Sequence, residues 1–119
     1  MLKIRAEQMA VLEAYMTRQF ENKMIVHLRK NFPNETQESS ENELRSFTQV
    51  GIRQAKGYGV ELEKDIQGYL EMMMIYGIDF DANPKTAWAG EILRTKDIDG
   101  TTKMNRLDDY ELNLLRKEK

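Results

Sequence analysis

Three oxygen-bearing side chains at alternate positions, Asp79, Asp81 and Asn83, have the spacing that opens a calcium-binding loop. The sixth position of such a loop is glycine and the twelfth is a bidentate glutamate. Here these two positions hold Pro84 and Gly90. The pattern therefore favours acids that cap turns over a calcium site, and we expect neither a metal nor a cofactor.

The single histidine, His27, is the residue that any imidazole-dependent catalysis would have to use. The chain has no cysteine, and no second histidine completes a metal site. A small hydrolase using His27 with Asp79 or Asp81 is therefore one alternative. A histidine packed at the edge of the core is the interpretation that the sequence favours, because the other parts of a catalytic constellation are missing.

A long first helix over residues 6–31 must position His27. Apolar residues recur every three or four positions before Pro33, as on one stripe of an amphipathic helix. These residues are Met9, Leu12, Met16, Phe20, Met24 and Leu28. A second apolar flank at Val11, Tyr15 and Ile25 would allow the helix to pair with a copy of itself or with another protein.

Capping signals divide the rest of the chain into four more helices. Ser40 and Glu43 form a capping box that begins a second helix, and Gly59 supplies its C-terminal stop. The small residues 51 and 55 of the second helix would let another helix approach it closely. A third helix follows the acids at 61–65 and ends near Gly77. Asn83 and a first-turn proline begin a short fourth helix over residues 84–94, which contains the only tryptophan.

The last helix follows a turn at residues 97–100 and ends in a frayed, charged segment at residues 116–119. No strand-like alternation of useful length interrupts the series. We predict an all-α fold, a compact single-domain bundle of about five helices over residues 1–119. Its core covers residues 6–94, and the C-terminal helix lies within residues 95–119.

The Met-rich end of the third helix indicates a binding surface. Successive residues of a helix point in different directions, and Met73 and Met74 match the core face. Met72 is then left for an exposed contact, because flexible thioethers adapt to different partners. We predict a partner-binding surface made of Met72, Ile75, Tyr76, Phe80 and Trp88. Core packing of the methionines stays open as the alternative.

Charge and hydropathy point away from nucleic acid and from membranes. The chain carries 18 lysines and arginines against 20 acids, a net charge of −2. Residues 1–33 carry six basic and three acidic residues, whereas residues 60–83 carry one lysine and six acids. No apolar run resembles a signal peptide or approaches the roughly 20 residues of a bilayer span. We expect a cytoplasmic protein.

Short motifs spread over residues 4–93 form an ordered series. They are Glu7-Gln8-Met9, Phe20, Met24, His27-Leu28-Arg29, Phe32-Pro33, Gly51-Ile52, Ala55, Tyr58-Gly59, Glu63, Asp65-Ile66, Tyr69, Met73, Gly77, Asp79-Phe80-Asp81, Pro84, Trp88-Ala89 and Ile92-Leu93. In order and spacing the series resembles an uncharacterised family of small helical bacterial proteins associated with gene neighbourhoods of type VI secretion spikes and their toxic effectors. The match fades after residue 94, and Arg5 stands where a small capping residue is expected.

The resemblance implies an accessory protein that accompanies secreted antibacterial toxins, with no defined chemistry. The leading hypothesis is a non-enzymatic chaperone or adaptor that binds a toxin, an effector or a spike component. An immunity protein, whose acidic residues 61–83 cover a basic toxin surface, is the second hypothesis. The small hydrolase described above is the third.

Overall fold

The computed structural model describes the backbone of residues 6–117 and the side chains of residues 13–117. Within this range every regular element is helical, which confirms the all-α fold with about five helices. The helices are α1 (Ala6–Asn31), α2 (Pro33–Thr36), α3 (Glu41–Gly57), α4 (Glu63–Tyr76), α5 (Ala87–Leu93), which a 3-10 turn at Pro84–Thr86 precedes, and α6 (Gly100–Lys117). Several predictions lie outside the described side chains, namely those on Arg5, Glu7-Gln8-Met9, Val11, Leu12, Glu118 and Lys119.

The short helix α2 is the element that the sequence analysis missed. Pro33 was expected to end α1, with a loop after it, but a proline is also favoured in the first turn of a new helix. The Thr36 hydroxyl donates to the carbonyl oxygen of Phe32 at 2.8 Å. Arg29 donates to the carbonyl oxygens of Thr36 at 3.2 Å and Ser39 at 3.0 Å. A hydrogen bond within the segment and two from Arg29 of α1 therefore hold it in place.

Both ends of α3 confirm the predicted capping. The Glu43 N–H donates to Ser40 Oγ at 3.1 Å, and the Ser40 N–H donates to Glu43 Oε1 at 3.2 Å. At the other end Gly59 has φ 81°. The N–H of Val60 donates to the Ala55 carbonyl oxygen at 2.9 Å, and the N–H of Gly59 donates to the Lys56 carbonyl oxygen at 3.0 Å. This is a Schellman turn, in which the left-handed glycine returns the chain across the helix end.

Contacts divide the described chain into two compact units, residues 6–48 and 49–117. In the first unit α2 packs on α1, and Met24, Ile25, Leu28 and Leu44 are buried. Arg45 also lies in this interior, where it donates to Glu21 Oε1 at 2.9 Å and to Asn22 Oδ1 at 2.7 Å. Two guanidinium hydrogen bonds therefore accompany the burial of its charge.

The predicted stripe of α1 is buried only in part. Met24 and Leu28 are buried and Phe20 is half-buried, but Met16 is 61 % exposed. On the second flank Tyr15 is exposed, whereas Ile25 is buried. The sequence indicated which side of the helix is apolar, but among the described side chains residues 13–19 are exposed on every side and burial begins at residue 20.

In the second unit α4 and α5 both pack on α6. The predicted close approach at Gly51 is confirmed, because the side chains of Leu70 and Met73 fill the space that a Cβ atom would need there. Helix α6 buries Met104 and Leu107 near its start, whereas Leu115 near its end is exposed. The list of fully buried large side chains in this unit is Tyr69, Phe80, Leu70, Met73, Leu93, Leu107 and Val60.

Among the glycines of this second unit, Gly100 is the one at which an added Cβ atom would come closest to backbone atoms. It begins α6 directly against the Schellman turn of α3. A Cβ atom added at Gly100 would stand 2.7 Å from Val60 Cα and 2.9 Å from the carbonyl carbon of Gly59. The start of α6 thus requires a residue without a side chain.

Candidate partner-binding surface

The structure separates the five predicted surface residues into two groups. Met72 is only 3 % exposed and Phe80 is fully buried, so neither can contact a partner, and the prediction is corrected at these two positions. Ile75 is 53 % exposed, and Tyr76 and Trp88 are half-buried. These three remain available on the surface.

Met72 is buried because α4 has a second neighbour. On one stripe of α4, the Asp65 carboxylate accepts from the Thr101 hydroxyl at 2.6 Å. An added Cβ at Gly68 would stand 3.3 Å from Met104 Cε, and Tyr76 bonds to α6 at the other end. Met72 lies on this α6-facing stripe, four residues from each of its neighbours. Met74, which was assigned to the core instead, is half-buried.

Phe80 is buried because the chain after α4 folds back over the aromatic residues of its own unit. Its ring centroid lies 5.0 Å from that of Tyr69. The Thr86 hydroxyl donates to the Phe80 carbonyl oxygen at 2.7 Å, which holds the following turn in place. Burial raises the pKa of Tyr69, whose hydroxyl donates to Gln54 Oε1 at 2.9 Å. The segment is therefore part of the core.

Three aromatic side chains from three elements meet at the surface of this unit. Trp88 of α5 stacks on Tyr110 of α6 with centroids 4.6 Å apart and planes inclined by 12°. The ring of Tyr76, on α4, meets that of Trp88 edge to face, with centroids 5.5 Å apart and planes inclined by 85°. Tyr110 is 40 % exposed. We call Tyr76, Trp88 and Tyr110 the aromatic cluster.

Tyr110 is the member of the cluster that was not among the five predicted surface residues. Its neighbour Glu111 also takes part, since Glu111 Oε2 accepts a 2.6 Å hydrogen bond from the Tyr76 hydroxyl. Aromatic pairs of this geometry stabilise their arrangement beyond the area they bury. The cluster is thus a rigid apolar surface that is still open to solvent.

Glu111, which accepts from Tyr76 of the cluster, belongs to a group of acids on α4 and α6. Partial burial raises the pKa of Asp108, and the charges of Glu111, Glu71, Asp109 and Asp65 raise it further. The repulsion means that α4 and α6 bring these acids close together. A basic group in this position would relieve it.

Replacing Asp108 with asparagine should therefore stabilise the protein at pH 7. A carboxyl whose pKa is raised by folding destabilises the fold when it is ionised, so the gain should shrink as the pH falls from 7 to 4. Urea unfolding of Asp108→Asn and wild type at both pH values measures the difference. Glu38→Gln, which removes an exposed carboxylate outside this group of acids, is the control. A gain that is equal at both pH values would contradict this account.

The residues of the hydrolase hypothesis have structural partners. The amide of Asn31 lies 3.2 Å from His27 Nδ1, and Asn31 also donates to the His27 carbonyl oxygen. Asp79 accepts from Asn83 at 3.2 Å, and Asp81 accepts from the Tyr58 hydroxyl at 2.7 Å. His27 belongs to the unit 6–48, whereas both acids belong to the unit 49–117. The hypothesis stays a prediction.

Asn83 and Asp99 accept from backbone N–H groups, as expected for capping residues, whereas the carboxylates of Asp79 and Asp81 accept from side chains. Asn83 Oδ1 accepts from the Lys85 N–H at 2.9 Å at the start of the 3-10 turn. Asp99 Oδ1 accepts from the Thr102 N–H at 2.8 Å at the start of α6. Hydrogen bonding by the Thr102 side chain, and then by its N–H, lowers the pKa of Asp99. Among the described residues no three histidines or acids are grouped so that they could hold a metal ion.

Searches for relatives add nothing to this geometry. No helix in the described range has the length and apolar character needed to cross a bilayer. Comparison of the chain with protein-family models, curated proteins and solved structures produced no match.

Proposed function

We propose that this protein is a non-enzymatic protein-binding module that acts in the cytoplasm as a chaperone or adaptor for a bacterial toxin or a type VI secretion effector. The observation that carries the binding role is the solvent-open aromatic cluster with the carboxylate of Glu111 beside it. The toxin or effector as partner follows from the sequence resemblance alone.

The aromatic cluster has the properties of an anchor for a partner. Trp and Tyr dominate the binding energy of many interfaces, because they bury a large area while losing little conformational freedom. In this protein Trp88 and Tyr110 are already held by their stacking. Ile75 adds an exposed aliphatic side chain one residue before Tyr76. A partner would therefore meet a surface that needs little reorganisation.

The charge around the cluster selects a basic partner. Glu71, Asp108, Asp109 and Glu111 are close enough for their repulsion to affect one titration. Lysine or arginine from a partner would replace that repulsion by attraction, and an arginine can also stack on an exposed aromatic face. We propose a basic segment of the toxin or effector as the ligand. Binding should weaken as the salt concentration rises.

The test is co-expression with the toxin or effector encoded beside this chain's gene, followed by affinity purification and measurement of Kd. The variants are Ile75→Arg and Tyr110→Arg, which replace exposed side chains by a positive charge, and circular dichroism checks that both variants remain folded. Leu62→Arg is the matched control, because Leu62 is equally exposed at the start of α4. We expect about tenfold or more weaker binding for the two variants and unchanged binding for the control.

Two outcomes would redirect the proposal. If none of the neighbouring gene products binds at physiological salt, the accessory role is wrong. If the protein binds and also protects a cell that expresses the toxin, the immunity hypothesis replaces that of an adaptor. An adaptor lost from the producing cell should instead block delivery of the toxin without killing the producer.

A further inference from the structure

A cleft of about 630 Å³ opens on the unit 49–117, and none of its lining residues belongs to the aromatic cluster. It lies among the end of α3, the connection after α5 and the first turn of α6. Its charged lining consists of Arg94, Lys96, Lys103 and a single carboxylate, Asp97. In a chain of net charge −2, this is a local excess of positive charge.

Lys103 is the unusual member of this lining, because it is only 9 % exposed. Its ammonium donates to the Tyr58 carbonyl oxygen at 2.7 Å. No carboxylate in the described part of the chain forms an ion pair with it. An ammonium has three donors, and a buried charge without an opposite charge is costly. The remaining donors of Lys103 therefore lack a charged acceptor.

Arg94 brings a second cation to the same cleft. Its Nη1 donates to the Asp81 carbonyl oxygen at 3.0 Å, which holds the guanidinium in place. The carboxylate of Asp81 already accepts a 2.7 Å hydrogen bond from the Tyr58 hydroxyl. Burial raises the pKa of Tyr58, and the bond to Asp81 raises it further, so the phenol stays protonated and keeps this bond. Tyr58 and Asp81 thus support the cleft from behind.

The apolar part of the lining comes from Leu93 and Ile98. Leu93 has no exposed surface, so the half-buried Ile98 is the apolar side chain of the lining that a ligand can contact. Cavities of roughly 300–1,000 Å³ with a few convergent polar groups are typical of small-molecule sites. The volume and the mixed lining suit a compact organic anion.

We propose that this cleft binds a small organic oxyanion, in which a phosphate or carboxylate group contacts Lys103 and Arg94 and a compact apolar body lies against Ile98. Charge-assisted hydrogen bonds from lysine and arginine are the usual means of holding both kinds of oxyanion. Lys96, which is exposed at the rim, adds long-range attraction. The proposal is independent of the partner-binding role of the aromatic cluster.

The test is an NMR titration of the isotope-labelled full chain with phenyl phosphate, phthalate and, as a neutral probe, benzyl alcohol. We expect both anions at up to about 10 mM to shift the amide signals of residues 94–98 and 103, which reports Kd values in the millimolar range or below. The stronger of the two anions identifies the oxyanion as phosphate or carboxylate. Benzyl alcohol should leave the same signals in place.

Three lysine variants locate the site. Lys103→Met keeps the aliphatic stem and removes the charge, and we expect about tenfold or more weaker binding. Lys96→Met should weaken binding by a smaller factor and should fold normally, because its side chain is exposed. Lys85→Met is the control, since Lys85 is an exposed lysine outside the cleft.

The proposal is overturned if neither anion shifts these signals, or if benzyl alcohol shifts them as strongly. It is also overturned if Lys85→Met weakens binding as much as the cleft variants do. Should Lys103→Met not fold, Lys96→Met decides, and equal binding by Lys96→Met and Lys85→Met then contradicts the site.

Discussion

Replacing Phe80 with alanine is expected to lower the free energy of unfolding by about 3–5 kcal/mol. The ring is fully buried, contacts Tyr69 at 5.0 Å between centroids and leaves no solvent path to the space it occupies. Alanine would remove the transfer free energy of the ring and leave a cavity. Urea unfolding followed by circular dichroism measures the change.

Ile75→Ala is the control for Phe80→Ala. Ile75 belongs to the same predicted surface but is more than half exposed, so its truncation should change the free energy of unfolding by about 0.5 kcal/mol or less. Equal effects of the two substitutions would mean that Phe80 is not in the core. The pair therefore separates a packing residue from a surface residue within six positions of the chain.

The substitution Gly100→Ala is expected to destabilise the protein by about 1–3 kcal/mol, in spite of the better helix propensity of alanine. The added Cβ would stand 2.7 Å from Val60 Cα and 2.9 Å from the Gly59 carbonyl carbon. These are backbone atoms, and no change of side-chain rotamer can move them away. Chemical unfolding of Gly100→Ala and wild type measures the loss.

Gly57→Ala provides the comparison. A Cβ added at Gly57, in the last turn of α3, would meet no atom within 4 Å, so the same chemical change is made without the contact. We expect a stability equal to wild type or higher by up to about 1 kcal/mol, the propensity difference between the two residues. Two substitutions with the same small effect would show that α6 does not begin against the turn of α3.

The limits of the helices were predictable because local chemistry determines them. The capping box at Ser40 and Glu43 is confirmed in both of its hydrogen bonds, and Gly59 has the left-handed conformation expected of a helix stop. Interactions within three or four residues suffice for such features. Helix α2 was missed because a proline can end one helix or begin another, and the choice depends on a bond from Thr36 to Phe32.

The side chains at the surface were harder to predict. Periodicity shows which stripe of a helix is apolar, but it does not show how many neighbours the helix has. Met72 is buried because α6 covers a second stripe of α4, which begins at Asp65 and ends at Tyr76. Tyr110 enters the aromatic cluster through a contact between helices, which periodicity does not show, because its stacking partner Trp88 lies on α5.

The cleft could not have been predicted from the sequence at all. A lysine in an amphipathic helix is ordinarily expected on the solvent side, and Lys103 is buried because the carbonyl oxygen of Tyr58 accepts from it across 45 positions of the chain. Arg94 likewise reaches the carbonyl oxygen of Asp81. Backbone acceptors of this kind carry no sequence signal, because every residue has one.

The contact of Gly100 with the turn at Gly59 and Val60 also bears on the order of folding. It closes a loop of about 40 residues, for which the entropy of closure alone opposes folding by about 3 kcal/mol. The contact surface exists only after α3 has ended in its Schellman turn. We therefore expect α3 and α4 to associate early, because a short connection joins them and Gly51 packs against Leu70 and Met73. Docking of α6 would then follow, against a turn whose backbone must already be formed.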